Sequence, residues 1–142
     1  MAREPSTDWP RWRGPSADGV ADGRSLPIRW SETENIRWSV ELPGWGTSSP
    51  VVYGVLVCLD GKTGDELYRE RLGGSCNSSP VARDGRIYLS DNDGRTFVVK
   101  AGKKFTLLET NLLPERISAS PAITGNWLIY RTDSHLYCIG GT

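Results

Sequence analysis

The sequence predicts an all-β chain of repeated antiparallel meanders, and three observations carry that prediction. A Ser-Ser-Pro string at Ser48-Ser49-Pro50 returns at Ser78-Ser79-Pro80, and a variant, Ala119-Ser120-Pro121, follows. A glycine suited to a hairpin turn stands four or five residues after each proline, at Gly54, Gly85 and Gly125. Short apolar runs fill the intervals, punctuated by the 16 Gly and 9 Pro of the 142 residues. Short strands joined by tight turns have this pattern.

The second repeat reads strand by strand. Pro80-Val81-Ala82 opens the inner strand, where a proline sacrifices no ladder bond. Asp84-Gly85 is a two-residue hairpin signal, Arg86-Ile87-Tyr88-Leu89 the next strand and Asp93-Gly94 the next turn. Thr96-Phe97-Val98-Val99 and Phe105 to Glu109 complete four strands. The third repeat follows the same course through Trp127-Leu128-Ile129-Tyr130 and Leu136-Tyr137-Cys138-Ile139, then stops one strand short. Pro80 and Pro121 are 41 residues apart, the length of one propeller blade. Runs such as Trp127 to Tyr130 are apolar on both faces, so each sheet needs cover on both sides. Radially stacked blades supply it. The expected architecture is a partial β-propeller of about three blades, each an antiparallel four-stranded meander.

Upstream, Ile36, Trp38, Val40 and Leu42 alternate with Arg37, Ser39 and Glu41, a period-2 strand closed by Pro43-Gly44. A surplus strand at one end matches the missing strand at the other, and propellers commonly close that way. The expected organisation is an irregular cap over 1–34, rich in Pro, Gly, Asp and Ser, then blades over 35–142. Within the latter, 35–43 is a closing strand, 48–73 a shortened first blade, 78–113 the second, and 119–142 a third completed by an N-terminal strand.

Composition narrows the function. Seventeen basic and seventeen acidic residues cancel, which removes the electrostatic footprint that nucleic-acid or anionic-membrane binding needs. No apolar run approaches the about 18 residues of a membrane span, and Met1 to Pro10 hold no apolar export core. Cys58, Cys76 and Cys138 form no metal-ligand spacing. Cys58 and Cys138 lie in matching apolar stretches and read as small buried hydrophobes, with a Cys58–Cys138 disulfide as the alternative. His135 is the single histidine, so any serine or cysteine triad would have to use it, yet it falls in a hairpin between strands. Asp91-Asn92-Asp93-Gly94 is similar to the start of a calcium loop, but Arg95 and Thr96 follow where ligands are needed, so a turn is expected. Lys100 to Lys104 reads as a solvated loop. No Gly-rich phosphate motif occurs. Trp9, Trp12, Trp30, Trp38 and Trp45 suit packing of the N-terminal segment over the blades, with a carbohydrate- or peptide-binding surface as the alternative. No catalytic, cofactor or metal residues are assigned.

The stretch Leu59-Asp60-Gly61-Lys62-Thr63-Gly64-Asp65-Glu66-Leu67-Tyr68 resembles the docking motif of PQQ-like propeller repeats, roughly A-x-D-x-x-T-G-x-x-x-W. Asp60, Thr63 and Gly64 match, Cys58 replaces the alanine, and Tyr68 takes the tryptophan's place. The resemblance implies that Asp60 bonds the turn backbone, Gly64 takes positive φ, and the Tyr68 ring docks between blades. Asp8 to Pro15, Leu26 to Ser31, Leu42 to Pro50 and Arg131 to Gly140 are similar to segments of secreted PQQ-like proteins of planctomycete type. That family is mostly exported, whereas no signal peptide is read here, so localisation stays open. PQQ itself is not expected. Quinoprotein dehydrogenases hold it at the centre of a complete ring with calcium and often a vicinal disulfide, and no Cys-Cys pair exists here.

Gly54 to Val57 is too short to hold the strand present after Gly85 and Gly125, so an internal deletion, natural or engineered, is expected. Three blades cannot close a ring, since propellers have about four to eight, and open edges favour self-association. The expectation is a homo-oligomer, simplest as a dimer in which Ile36–Leu42 of one chain completes the third repeat of its partner. The leading function is a non-catalytic scaffold offering blade edges to extended peptides. The alternatives are a remnant of a PQQ-dependent oxidoreductase, or a propeller fragment without a cellular role.

Overall fold

The computed structural model describes residues 29, 31, 34–39, 41, 51, 52 and 54–140. Among these, strands form three separate antiparallel sheets and no helix occurs. The first sheet holds β1 (Val51–Val52), β2 (Val55–Leu59) and β3 (Glu66–Arg71), in that order. The second is a four-stranded meander of β4 (Val81–Arg83), β5 (Arg86–Ser90), β6 (Arg95–Lys100) and β7 (Leu107–Leu112). The third runs β8 (Ala122–Thr124), β9 (Trp127–Arg131) and β10 (Leu136–Gly140). The chain is thus all-β and a partial propeller, with four strands in the middle blade and, among the described residues, three in each of the others. The sheets do not close on one another.

Turn chemistry sets each hairpin. Asp84 and Gly85 both carry positive φ, 50° and 72°, the conformation that two-residue hairpins favour and that Asp and Gly tolerate best. Val81 then faces Tyr88, and in the third sheet Ala122 faces Ile129 in the same register. β2–β3 and β6–β7 each carry a bulge at one point, after Cys58 and after Val98. The repeat therefore extends to backbone irregularities.

Gly54 departs from the role its spacing suggested. Its carbonyl accepts from Leu72 N at 2.8 Å, as the Gly94 carbonyl accepts from Leu113 N at 2.9 Å. Both are crossed closely by backbone: a Cβ would lie 2.2 Å from the Gly74 oxygen at Gly54, and 2.3 Å from the Leu113 oxygen at Gly94. Gly54 is the counterpart of Gly94, not of Gly85. The chain reverses between Val52 and Val55, so β1 occupies the place of β5, and among the described residues the first sheet has three strands.

Burial follows the stacking. Leu56, Cys76, Leu89 and Val99 form a core across the first two sheets, with Tyr68, Leu72, Ile87 and Phe105 packed against it. Polar links tie the inner ends. Ser78 Oγ donates to the Ser90 carbonyl at 2.8 Å, and Ser120 Oγ accepts from the amide of Ser79, its counterpart one blade earlier, at 2.7 Å. The prolines sit just before the inner strands, Pro80 half-buried and Pro121 buried; Pro50 lies outside the described residues. So does most of the expected 1–34 cap, though Ser31 and Glu34 form an isolated bridge. Of the 35–43 segment, residues 35–39 and 41 are described and belong to no strand of the single chain.

Candidate functional site

The turn between β2 and β3 is built by its own residues. Asp60 Oδ1 accepts from the amides of Lys62 (2.9 Å) and Thr63 (3.4 Å), and these two bonds hold its carboxyl below the usual carboxylate range. Thr63 Oγ1 donates to Asp65 Oδ2 at 2.7 Å. Gly64 is buried with φ +81°, and a Cβ there would lie 2.6 Å from the Trp38 ring. Tyr68 leans on Phe105 of the next blade, ring centroids 5.8 Å apart. Cys58 Sγ points toward the Gly102 carbonyl at 4.0 Å. This turn is therefore a dock: it receives an aromatic ring on one side and sends one to the following blade on the other.

The opposite end of the chain is open. Among the described residues no strand pairs with the outer edge of β10. Leu136 is 71% exposed and Ile139 43%, unusual values for a strand of this composition. Cys138 is exposed as well, which corrects the expectation of a buried thiol; among the described residues no further blade covers that face. All three cysteines are free, so the Cys58–Cys138 disulfide does not form. Cys76 alone is buried, and burial first, then the Asp91 charge, pushes its thiol up to about 11. The whole of β7 is exposed, Leu108 and Leu112 included. Beside β10, a cleft of about 370 Å³ lies between the Arg83–Arg86 hairpin and Asn126–Trp127, with Ile139 on its wall.

Two polar clusters carry charge, and both are structural. Asp91 is fully buried and bonded to the turn amides and to Arg95 Nε at 2.8 Å. Glu115 accepts from Ser134 Oγ (2.6 Å), Thr132 Oγ1 (2.5 Å) and Ser134 N (3.1 Å), and pairs with His135 Nδ1. The Ser134 hydroxyl also meets His135 on Nδ1. A relay needs nucleophile and carboxylate on opposite ring nitrogens, so this cluster is a loop clamp. Among the described residues no three His, Cys, Asp or Glu are placed to hold a metal. With Asp91 and Asp93 both spent on Arg95, these side chains do not fit a calcium–quinone centre.

The clamp is pH-dependent. The Ser134 and Thr132 donors hold the Glu115 carboxyl down at about 2, from 4.5. A depressed folded pKa stabilises the fold above the unfolded value and loses that contribution as pH falls through the folded one. The melting-temperature deficit of Glu115→Gln should therefore be constant above about pH 5 and shrink between pH 4.5 and 2. An undiminished deficit at pH 2 would show that the clamp carboxylate does not stabilise the fold.

Sequence reasoning named Asp60, Thr63, Gly64 and Tyr68 as one motif, and the structure brings them into one dock. It missed Trp38 as the ring seated on Gly64, and it missed Asp91, which reads locally as a turn residue. No curated protein matches the chain. The family model described as outer membrane protein assembly factor BamB matches residues 51–136, more than half of the sequence, from β1 to the first residue of β10. With the recurring meander and the dock between blades, that match makes the chain a member of the BamB-like family of PQQ-like propeller repeat proteins.

Proposed function

We propose that this chain is a non-catalytic propeller scaffold, a protein-interaction module that completes its ring by self-association. The observation that carries this reading is the outer edge of β10, unpaired among the described residues, with Leu136 and Ile139 of that strand exposed. An edge strand with unmet amides and carbonyls recruits another strand, and strand addition is how sheet edges bind extended peptides. Exposed Leu108 and Leu112 on β7 add apolar surface beside it. Two copies of three sheets make six blades, within the range of about four to eight that closes a ring. The matched family's description as an assembly factor supports an interaction role.

Sedimentation equilibrium should give twice the 15.7 kDa of one chain. A single-chain mass at all concentrations would overturn self-association. Reconstitution with PQQ and Ca²⁺ should leave dye-linked alcohol oxidation at background; turnover above it would overturn the non-catalytic assignment.

A further inference from the structure

Trp38 stands where Tyr68 stands one repeat later. Residues 36–50 run in step with 66–80: Leu42-Pro43-Gly44 matches Leu72-Gly73-Gly74, and Ser48-Ser49-Pro50 matches Ser78-Ser79-Pro80. Tyr68 has two contacts. Across the ladder it faces Cys58 of its own blade, and through its ring it meets Phe105, two residues before the next outer strand begins. Trp38 makes the second contact only. Its ring covers Gly64, which also lies two residues before an outer strand, β3. Its ladder side is empty among the described residues, and Ile36 and Trp38 are exposed.

The matching vacancy lies on β10. Cys138 faces Ile129 as Val98 faces Tyr88, so Cys138 and Val98 are counterparts. Val98 faces Glu109 across its outer ladder, where Cys58 faces Tyr68. A completed third blade thus needs, opposite Cys138, a residue in the place of Tyr68. With the recurring bulge, the same alignment sets Ile36 against Ile139, two exposed apolar residues that would cover each other.

We infer that residues 36–39 lie in the outer strand of a second copy's third blade, antiparallel to β10. Trp38 faces Cys138, Ser39 faces Tyr137 and Ile36 faces Ile139, while the indole stays on Gly64 of its own chain. The occupant of the edge is thereby a second copy of this chain in one register, reciprocally exchanged. This assignment rests on the self-association proposed above. It also accounts for an exposed Cys138 in a position whose counterpart, Cys58, is half-buried against the next blade.

The test mixes two chains, each with Cys58 and Cys138 replaced by alanine, one carrying Ser39→Cys and the other Tyr137→Cys. A control replaces the second with Asp133→Cys. A disulfide needs Cβ atoms about 4 Å apart, and Asp133 lies in the turn between β9 and β10, off the strand that would face Ser39, so the in-register pair should oxidise at least about tenfold faster. In the unaltered protein, amides of Leu136–Gly140 should exchange at least about tenfold more slowly in the dimer than after dilution to single chains. A dimer with equal crosslinking rates, or with unprotected β10 amides, overturns this strand assignment and leaves self-association standing. A protein that never dimerises overturns both. Should the cysteine variants fail to fold, the exchange measurement decides alone.

Discussion

Replacing Asp91 with alanine should cost about 3 kcal/mol of folding stability, the largest loss expected from a single side chain outside the apolar core. The carboxylate is fully buried. Oδ1 accepts from the amides of Asp93 at 3.1 Å and Arg95 at 2.9 Å; Oδ2 accepts from Arg95 Nε at 2.8 Å and from Gly74 N at 3.5 Å. Gly73 has no Cβ because that oxygen would lie 2.6 Å from it. One side chain thus shapes the β5–β6 turn and fastens the first blade's exit loop to the second blade. Alanine leaves part-buried amides without acceptors, at about 1–3 kcal/mol for each that water cannot reach. Arg95 adds little to the loss, since its side chain is 40% exposed and keeps Asp93 as a partner. Domains of this size are stable by about 5–15 kcal/mol, so the variant should unfold at a visibly lower urea midpoint. Asp91→Asn keeps an acceptor and should lose roughly half as much. A midpoint shift worth less than about 1 kcal/mol for the alanine variant would mean that water or a neighbouring group replaces the carboxylate.

The same residue shows where sequence reading stops. Asp91-Asn92-Asp93-Gly94 reads as a turn, and it is one. Nothing in those four letters says that the first carboxylate reaches Gly74 across a blade boundary. Periodicity reports which way a strand faces along its own sheet, and turn residues report local φ; neither reports what lies alongside. For that reason Asp84-Gly85 and the Asp60–Gly64 turn were legible, being made by residues within a few positions of each other. Gly54 was misplaced because its role is fixed by the carbonyls of Gly73 and Gly74 that cross it. Cys138 was expected inside because its stretch matches that of Cys58, but burial depends on the neighbouring blade, which the single chain does not supply. Glu115 finds Thr132, Ser134 and His135 through a contact the local sequence does not announce.

Gly64→Val should abolish the proposed ring closure while the three sheets stay folded. Gly64 holds φ +81°, and its open Cα face is filled by the Trp38 indole, 2.6 Å from where a Cβ would stand. A β-branched residue is an outlier at such φ, costing about 1–2 kcal/mol in backbone strain, and its methyls would occupy the ring's seat. The ring is the one element that can leave, because the Asp60 bonds and the β2–β3 ladder fix the turn from the other side. Under the proposed exchange, displacing the indole removes the anchor that presents residues 36–39 to a neighbouring β10 edge. The expected result is a single-chain mass in sedimentation at concentrations where the proposed dimer of the parent protein forms, with the far-ultraviolet circular dichroism of the sheets retained. Trp38→Ala should reproduce the mass change without the backbone strain, which separates loss of the seat from damage to the turn. A Gly64→Val protein that remains dimeric would place closure elsewhere on the surface, on the Leu108 and Leu112 face of β7.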